Sequence, residues 1–342
     1  MFNHIFPLRS IAIGLLGGLA ISSVVAETPD VATNVHGAEQ GLPFDASNHR
    51  VSFVTVANGV RLEVLDWGGK GDPLILLAGL GDNAHVFDQF ADQFNDRFHV
   101  IGITRRGFGR SSQPMSGYDL GTRARDDIAV LDQLGLRQAI FVGHSIAATE
   151  LNKLAATYPD RVKKLVYLDG LDLGSNGWAS LPQPPPAPEL TDADLVSLQR
   201  LADANARDDG YRKPLAALAN EVVTLPSGKV VRAVTPPEIS QKIIAGLEPA
   251  DYACIRCPVL GIFNKITAQY RLPYYRDLNP AQRLKYDRNL RPLSRWVGQA
   301  IANFRSGVKQ ARIVELEDRN HYVFIVDEAL VVREMRKFLL AE

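Results

Sequence analysis

Residues 139–147 read Ala-Ile-Phe-Val-Gly-His-Ser-Ile-Ala. Ala139 to Val142 is a short, continuous apolar run, the pattern of a strand buried on both faces of a parallel sheet. The strand ends at Gly143, and helical spacing sets in just after Ser145, over Ile146 to Thr157. Gly-x-Ser-x-Ala at a strand-to-helix junction is the pattern of a nucleophile elbow, with Ala147 where glycine is more usual. A serine on so tight a turn cannot have bulky neighbours two positions away, which accounts for Gly143 and Ala147. The turn lifts the hydroxyl out of the sheet. The helix beneath it offers backbone N–H groups and its positive end to developing negative charge. Alone the motif is common; at such a junction it is specific, the alternative being a glycine-ended strand with an idle serine.

Working outward, similar apolar runs recur at Pro73–Ala78, Phe98–Ile103, Leu165–Leu168, Pro258–Phe263 and Ile313–Leu316. Helical patterns lie between them, at Ala84–Phe94, Leu120–Leu134 and Ile146–Thr157, and a last one covers Asp327–Leu340. Val51–Ala57 and Val60–Trp67 alternate around Asn58-Gly59, a hairpin signature. The expected fold class is α/β: a mostly parallel, doubly wound sheet with a hairpin at one edge. The alternation stops over 173–250. That stretch opens with the proline-rich 181–188 and continues with Leu195, Leu198 and Leu201 at spacing three. It reads as a helical cap inserted after the sixth strand, over the carboxyl edge where open α/β sheets bind ligands. The core is then 49–172 with 251–342.

A serine hydroxyl needs a base. Of seven histidines, His321 lies in Asp-Arg-Asn-His-Tyr directly after the last strand, at the sheet edge that carries Ser145. His85, after the third strand, is the only rival; His99 reads as a core or edge residue, and His144 projects away from its neighbour Ser145. An acid should orient the imidazole. The stretch 264–276 after Pro258–Phe263 contains no Asp or Glu, whereas Asp169 is the first residue beyond Leu168. Elimination favours Asp169, with Asp172 and Asp277 left open. The order Ser145, Asp169, His321 agrees with serine, acid, histidine. Backbone N–H groups of Ile146 and of Leu80, in Ala78-Gly-Leu-Gly-Asp82, are the candidate oxyanion donors, with Gly79 and Gly81 permitting close approach.

The 342 residues carry 38 basic and 38 acidic side chains; 46% are hydrophobic and 22% charged. Such balance excludes disordered tail proteins and disulfide-dense miniproteins, and it gives no reason to invoke nucleic acid or an anionic membrane as partner. Seven basic residues over Arg271–Arg295, interleaved with tyrosines, therefore read as a solvated helical surface. Arg9, an apolar run over Ile11–Val25 and small residues up to Ala26 make 1–26 a cleavable signal peptide, which implies export to the periplasm or medium with no stable membrane span afterwards. Residues 27–48 read as a flexible leader. Cys254 and Cys257 are packing cysteines or a small local bridge, not a zinc site.

Over roughly residues 50–342 the chain resembles the α/β-hydrolase superfamily. The matching pieces are Leu77-Ala-Gly-Leu-Gly81, Arg105-Arg-Gly-Phe-Gly-Arg-Ser111, Gly143-His-Ser-Ile-Ala147, Tyr158-Pro-Asp-Arg-Val162, Leu165-Val-Tyr-Leu-Asp169 and Asn320-His321. Ala78, Thr104 and Thr267 depart from the usual His, Asp and acid at those places. The departure at Thr267 resembles the subset whose acid follows the sixth strand, which supports Asp169. The resemblance implies acyl transfer through Ser145, with no metal or organic cofactor, on an ester-like bond of a small, largely apolar substrate. The same triad also serves carbon–carbon, amide or peptide, and perhydrolysis chemistry, and a non-catalytic ligand-binding protein on this fold is the remaining alternative. Oligomeric state is not encoded in these features.

Overall fold

The computed structural model describes residues 45, 47–174, 181–182 and 184–341. The expected signal peptide and nearly all of the expected leader lie outside the described residues. Eight strands form one sheet in the order β1-β2-β4-β3-β5-β6-β9-β10. They are β1 (Arg50–Ala57), β2 (Val60–Gly68), β3 (Pro73–Leu77), β4 (His99–Ile103), β5 (Ala139–His144), β6 (Val162–Leu168), β9 (Val259–Lys265) and β10 (Ala311–Glu317). The β1–β2 and β2–β4 pairs are antiparallel and the other five are parallel. Gly59, at φ +72°, closes the β1–β2 hairpin.

The continuous apolar runs are strands covered on both faces, because successive side chains point to opposite sides. Ile75, Leu77, Phe141, Leu165 and Tyr167 enter one core. Leu74, Leu76, Ile140, Val142, Val166 and Leu168 enter the other. Helices α2 (Leu120–Gln133), α3 (Ala147–Thr157) and α7 (Pro280–Gly307) pack into the first core, and α9 (Glu328–Leu339) into the second. The helix expected over Ala84–Phe94 is broken: a 3-10 turn at Ala84–Phe87 precedes the single turn α1 (Asp88–Ala91). The basic stretch after Arg271 ends in α7, which has Pro280 at its first position and an Asn279/Gln282 capping box.

Between β6 and β9 the chain leaves the sheet. This segment holds α4 (Leu198–Asp209), α5 (Leu215–Ala219), the short hairpin β7 (Val222–Thr224) with β8 (Val230–Ala233), and α6 (Pro237–Ala245). Leu195, Leu198, Leu201, Leu218, Val222 and Val230 give it a small core of its own. No described helix, among them the short α8 (Val323–Val326), is long and apolar enough to cross a membrane. Cys254 and Cys257 are both free thiols.

Candidate active site

Ser145 follows β5 directly and is 5% exposed. Its φ of +56° lies in the left-handed region that L side chains rarely adopt. The surroundings hold it there: Ser145 N–H donates to the Leu168 carbonyl at the end of β6 (3.1 Å), and the Ser145 carbonyl accepts from Ala148 N–H (3.0 Å). Room is tight on both sides. A Cβ on Gly143 would stand 3.0 Å from the Leu151 side chain, and one on Gly170 would stand 2.6 Å from Ala148 Cβ and 2.8 Å from the Ser145 carbonyl oxygen. Backbone strain of this kind costs about 1–3 kcal/mol and collects at functional sites.

Asp169 also has a left-handed backbone, at φ +46°. Its N–H donates to the Ile262 carbonyl of β9 (2.8 Å), which anchors the strand end. One carboxylate oxygen accepts Asn264 N–H (2.8 Å), and the other lies 2.6 Å from His321 Nδ1. The opposite ring nitrogen, His321 Nε2, is buried and has no hydrogen-bond partner. Of the acids the sequence left open, Asp169 is thus the one joined to His321. Asp172 is turned elsewhere, accepting from Gly174 N–H (2.9 Å) and Ala250 N–H (3.3 Å). Thr267, where relatives of the fold commonly carry an acid, is instead a partner of Asp318.

Three further residues support this pair. Asn264 caps the end of β9: its side chain donates to the Arg319 carbonyl (2.7 Å) and accepts from Arg319 N–H (2.9 Å), so it ties Asp169 to the loop bearing His321. His144 donates from Nε2 to the His321 carbonyl (3.1 Å), and its ring packs 4.6 Å from the His321 ring and 4.7 Å from that of Tyr322. Burial, reinforced by the neighbouring His321, holds His144 well below the usual histidine range. It is a neutral support beneath the loop that bears His321. His85, the rival base, sits apart with Asp88 (3.3 Å).

The loop Ala78–Asp82 is held from behind. Arg105 donates to the carbonyls of Ala78 (2.9 Å) and Gly79 (3.2 Å), and a bidentate pair with Glu150 (2.7 and 2.8 Å) fixes its guanidinium. In a trans peptide the N–H points opposite to the C=O. With the Gly79 carbonyl turned to Arg105, Leu80 N–H faces the other way. No described residue accepts from Leu80 N–H or from Ile146 N–H, which lies at the open N-terminus of α3. A Cβ on Gly79 would stand 2.9 Å from His144 Nδ1, which places this loop against the residue preceding Ser145. At the loop's far end Asp82 accepts from Tyr322 (2.9 Å) and from Lys213 (2.9 Å), a residue of the segment between β6 and β9. Lys213 also pairs with Glu221 (2.8 Å); burial pushes that carboxyl up to about 7 despite the nearby ammonium.

A sequence profile of the family described as alpha/beta hydrolase fold matches residues 72–226. The chain is 33% identical over 124 residues to a 2-(acetamidomethylene)succinate hydrolase of Mesorhizobium japonicum, covering 36% of this chain and 44% of that protein. It is 34% identical over 124 residues to a bifunctional esterase/perhydrolase of Acinetobacter calcoaceticus, covering 35% and 45%. A non-heme chloroperoxidase of Streptomyces lividans is 35% identical over 121 residues, covering 34% and 44%. Each match spans under half of the relative's own length. The crystal structure of E-2-(acetamidomethylene)succinate hydrolase superposes with a TM-score of 0.65 at 20% identity, over 86% of this chain and 100% of that one. The sheet order, the sequence profile over residues 72–226 and the superposition agree on an α/β-hydrolase fold.

Proposed function

We propose that the protein is a serine hydrolase that cleaves an ester-like bond in a small, largely apolar substrate through an acyl-enzyme on Ser145. The observation that carries this is the Asp169–His321 pair at 2.6 Å, its other ring nitrogen buried and without a hydrogen-bond partner, at the sheet edge that also carries Ser145 at φ +56°. In this reading His321 Nε2 takes the proton of Ser145 Oγ as the hydroxyl attacks the carbonyl carbon. Leu80 and Ile146 N–H groups stabilise the oxyanion, each contributing about 3 kcal/mol to the transition state. The tetrahedral intermediate collapses, His321 protonates the leaving alcohol, and the acyl group stays on Ser145. Water then loses a proton to His321 as it attacks the acyl carbon; the bond from Ser145 Oγ to the acyl carbon breaks, His321 returns the proton to Oγ, and the acid leaves. Asp169 holds the imidazole in the tautomer with Nδ1 protonated and stabilises its charged form.

The relatives named as esterase/perhydrolase and chloroperoxidase favour a second reading on the same residues. There, hydrogen peroxide replaces water at the second step and the product is a peracid. Turnover of p-nitrophenyl esters of graded acyl length tests the first reading. Steady hydrolysis by the wild type, lost in Ser145→Ala, supports it; ester hydrolysis that survives in Ser145→Ala overturns it. Peracid formation from a carboxylic acid and peroxide, measured alongside, distinguishes the second. We further propose that the protein is exported after cleavage near Ala26; a mature N-terminus at Glu27 in the periplasm or medium is the expected result, and an intact N-terminus in the cytoplasm contradicts it.

A further inference from the structure

On the other side of the oxyanion loop, the chain carries a compact group of metal-type ligands that the acyl-transfer chemistry does not use. Asp45 and His49 come from the segment ahead of β1, and His85 and Asp88 from the turns after β3. One ligand atom from each lies within 4.8 Å of the other three. All four side chains are more than nine-tenths buried. His49 Nε2 is 3.1 Å from Asp45 Oδ2, His49 Nδ1 is 3.3 Å from Asp88 Oδ1, and His85 Nδ1 is 3.3 Å from Asp88 Oδ2 and 3.7 Å from Asp45 Oδ2. Ligand bonds of about 2.0–2.2 Å in a tetrahedral zinc site put neighbouring ligand atoms about 3.3–3.5 Å apart. Only one of the two His49 nitrogens can join a given ion, and the four ligand atoms, within 4.8 Å of one another, have only a short way to draw in to that edge.

Hydrogen bonding satisfies the group only in part, through His85 Nδ1 with Asp88 Oδ2 (3.3 Å) and Ser47 N–H with Asp45 Oδ1. His49 Nδ1, Asp88 Oδ1 and His85 Nε2 are buried without a hydrogen-bond partner, and so is Glu63 Oε1 beside them. Buried polar atoms ordinarily find partners. The outer contacts have the arrangement that metal sites use to aim their ligands. His85 Nε2 points toward Glu63 Oε1 (3.8 Å), leaving Nδ1 between the two aspartates. Ser47 N–H donates to Asp45 Oδ1 (3.1 Å), leaving Oδ2 to the histidines, and Trp67 Nε1 donates to Ser47 Oγ (3.0 Å). Two imidazoles with two carboxylates suit a borderline divalent ion and balance its charge.

We propose that Asp45, His49, His85 and Asp88 bind one Zn2+ ion that clips the segment before β1 to the turn that follows the oxyanion loop. Binding displaces any proton from the ligating nitrogens and changes no oxidation state. The site is structural: four protein ligands fill a tetrahedral zinc, with no position open for substrate. The clip acts close to the chemistry, because Asn83, two residues before His85, accepts from His85 N–H (3.2 Å) and donates to the Ala217 carbonyl (2.9 Å).

The test uses untagged, chelator-dialysed protein titrated with Zn2+ alone, with stoichiometry by plasma mass spectrometry, affinity by calorimetry and Tm by calorimetric scanning. The expected result is one zinc per chain and a Tm that climbs with free Zn2+, as for any ligand of the folded state. Asp45→Asn and His49→Gln should each weaken binding at least about tenfold. Asp45 precedes the first strand, so that variant keeps the test readable if His49→Gln does not fold. Co2+ in place of Zn2+ should give the visible absorption of a tetrahedral site in the wild type and lose it in Asp45→Asn. Absence of stoichiometric zinc, or zinc bound equally by wild type and both variants, overturns the proposal.

Discussion

Ser145 and Asp169 share a backbone conformation that neither residue type favours, at φ +56° and +46°. The two strand ends that impose it also bring them to one edge. Asp169→Asn should lower turnover by about 10⁴ with the fold intact, because the amide favours the wrong imidazole tautomer. Asp172→Asn should leave kcat within a few-fold and instead lower Tm, since Asp172 holds the backbone of Gly174 and Ala250. The reverse ranking would show that Asp169 is not the acid. Ser145, Asp169 and His321 were legible in the sequence because the first two follow directly on readable strands and the third comes in the short loop after the last one. Asn264, His144 and Arg105 were not. Their parts depend on contacts between residues far apart in the chain, such as Asn264 with Asp169, 95 positions away.

At the scale of elements, small residues and one buried ion cluster set the positions of the loops. Gly170→Ala forces a methyl into Ala148 and the Ser145 carbonyl. It should cost about 1–3 kcal/mol in stability, with a loss of kcat that Gly298→Ala, whose Cβ meets nothing within 4 Å, does not share. Arg105, Arg123 and Glu150 are all buried, and both arginines pair with Glu150. Glu150→Ala leaves two buried guanidinium groups without their carboxylate and should destabilise the fold by about 3–5 kcal/mol in urea melts. The β-strands were readable as apolar runs. The β7–β8 hairpin was not, because strands of three and four residues carry too little periodicity. The long helix α7 was only half recognised: Tyr286, Leu290, Leu293, Val297, Ala300 and Phe304 form its buried stripe, but the basic residues between them read first as surface.

Across the whole molecule, stability depends on groups that titrate with opposite signs. His144 is held well below the usual histidine range, so the unfolded chain takes up a proton that the folded one refuses. Its contribution is complete above about pH 6.5 and is lost as pH falls, by at most about 1.4 kcal/mol per pH unit. Glu221 is displaced upward, from 4.5 to about 7, so the folded protein holds a proton that the unfolded chain has released. Its contribution is complete below pH 4.5 and is lost as pH rises through about 7. His144→Phe should therefore flatten the acid side of a stability–pH curve, whereas Glu221→Gln should remove the decline between pH 4.5 and 7. Identical curves for wild type and both variants would contradict this assignment. Lys213, between Asp82 and Glu221, is where this titration reaches the Ala78–Asp82 loop.

The claim on which the rest stands is that Ser145 is a nucleophile activated by His321. A fluorophosphonate probe, followed by mass-spectrometric mapping of the adduct, tests it in wild type and in His321→Ala. One adduct, on Ser145, is expected in the wild type, with a loss of labelling rate by orders of magnitude in His321→Ala. An adduct on another residue, or equal labelling without His321, would contradict it.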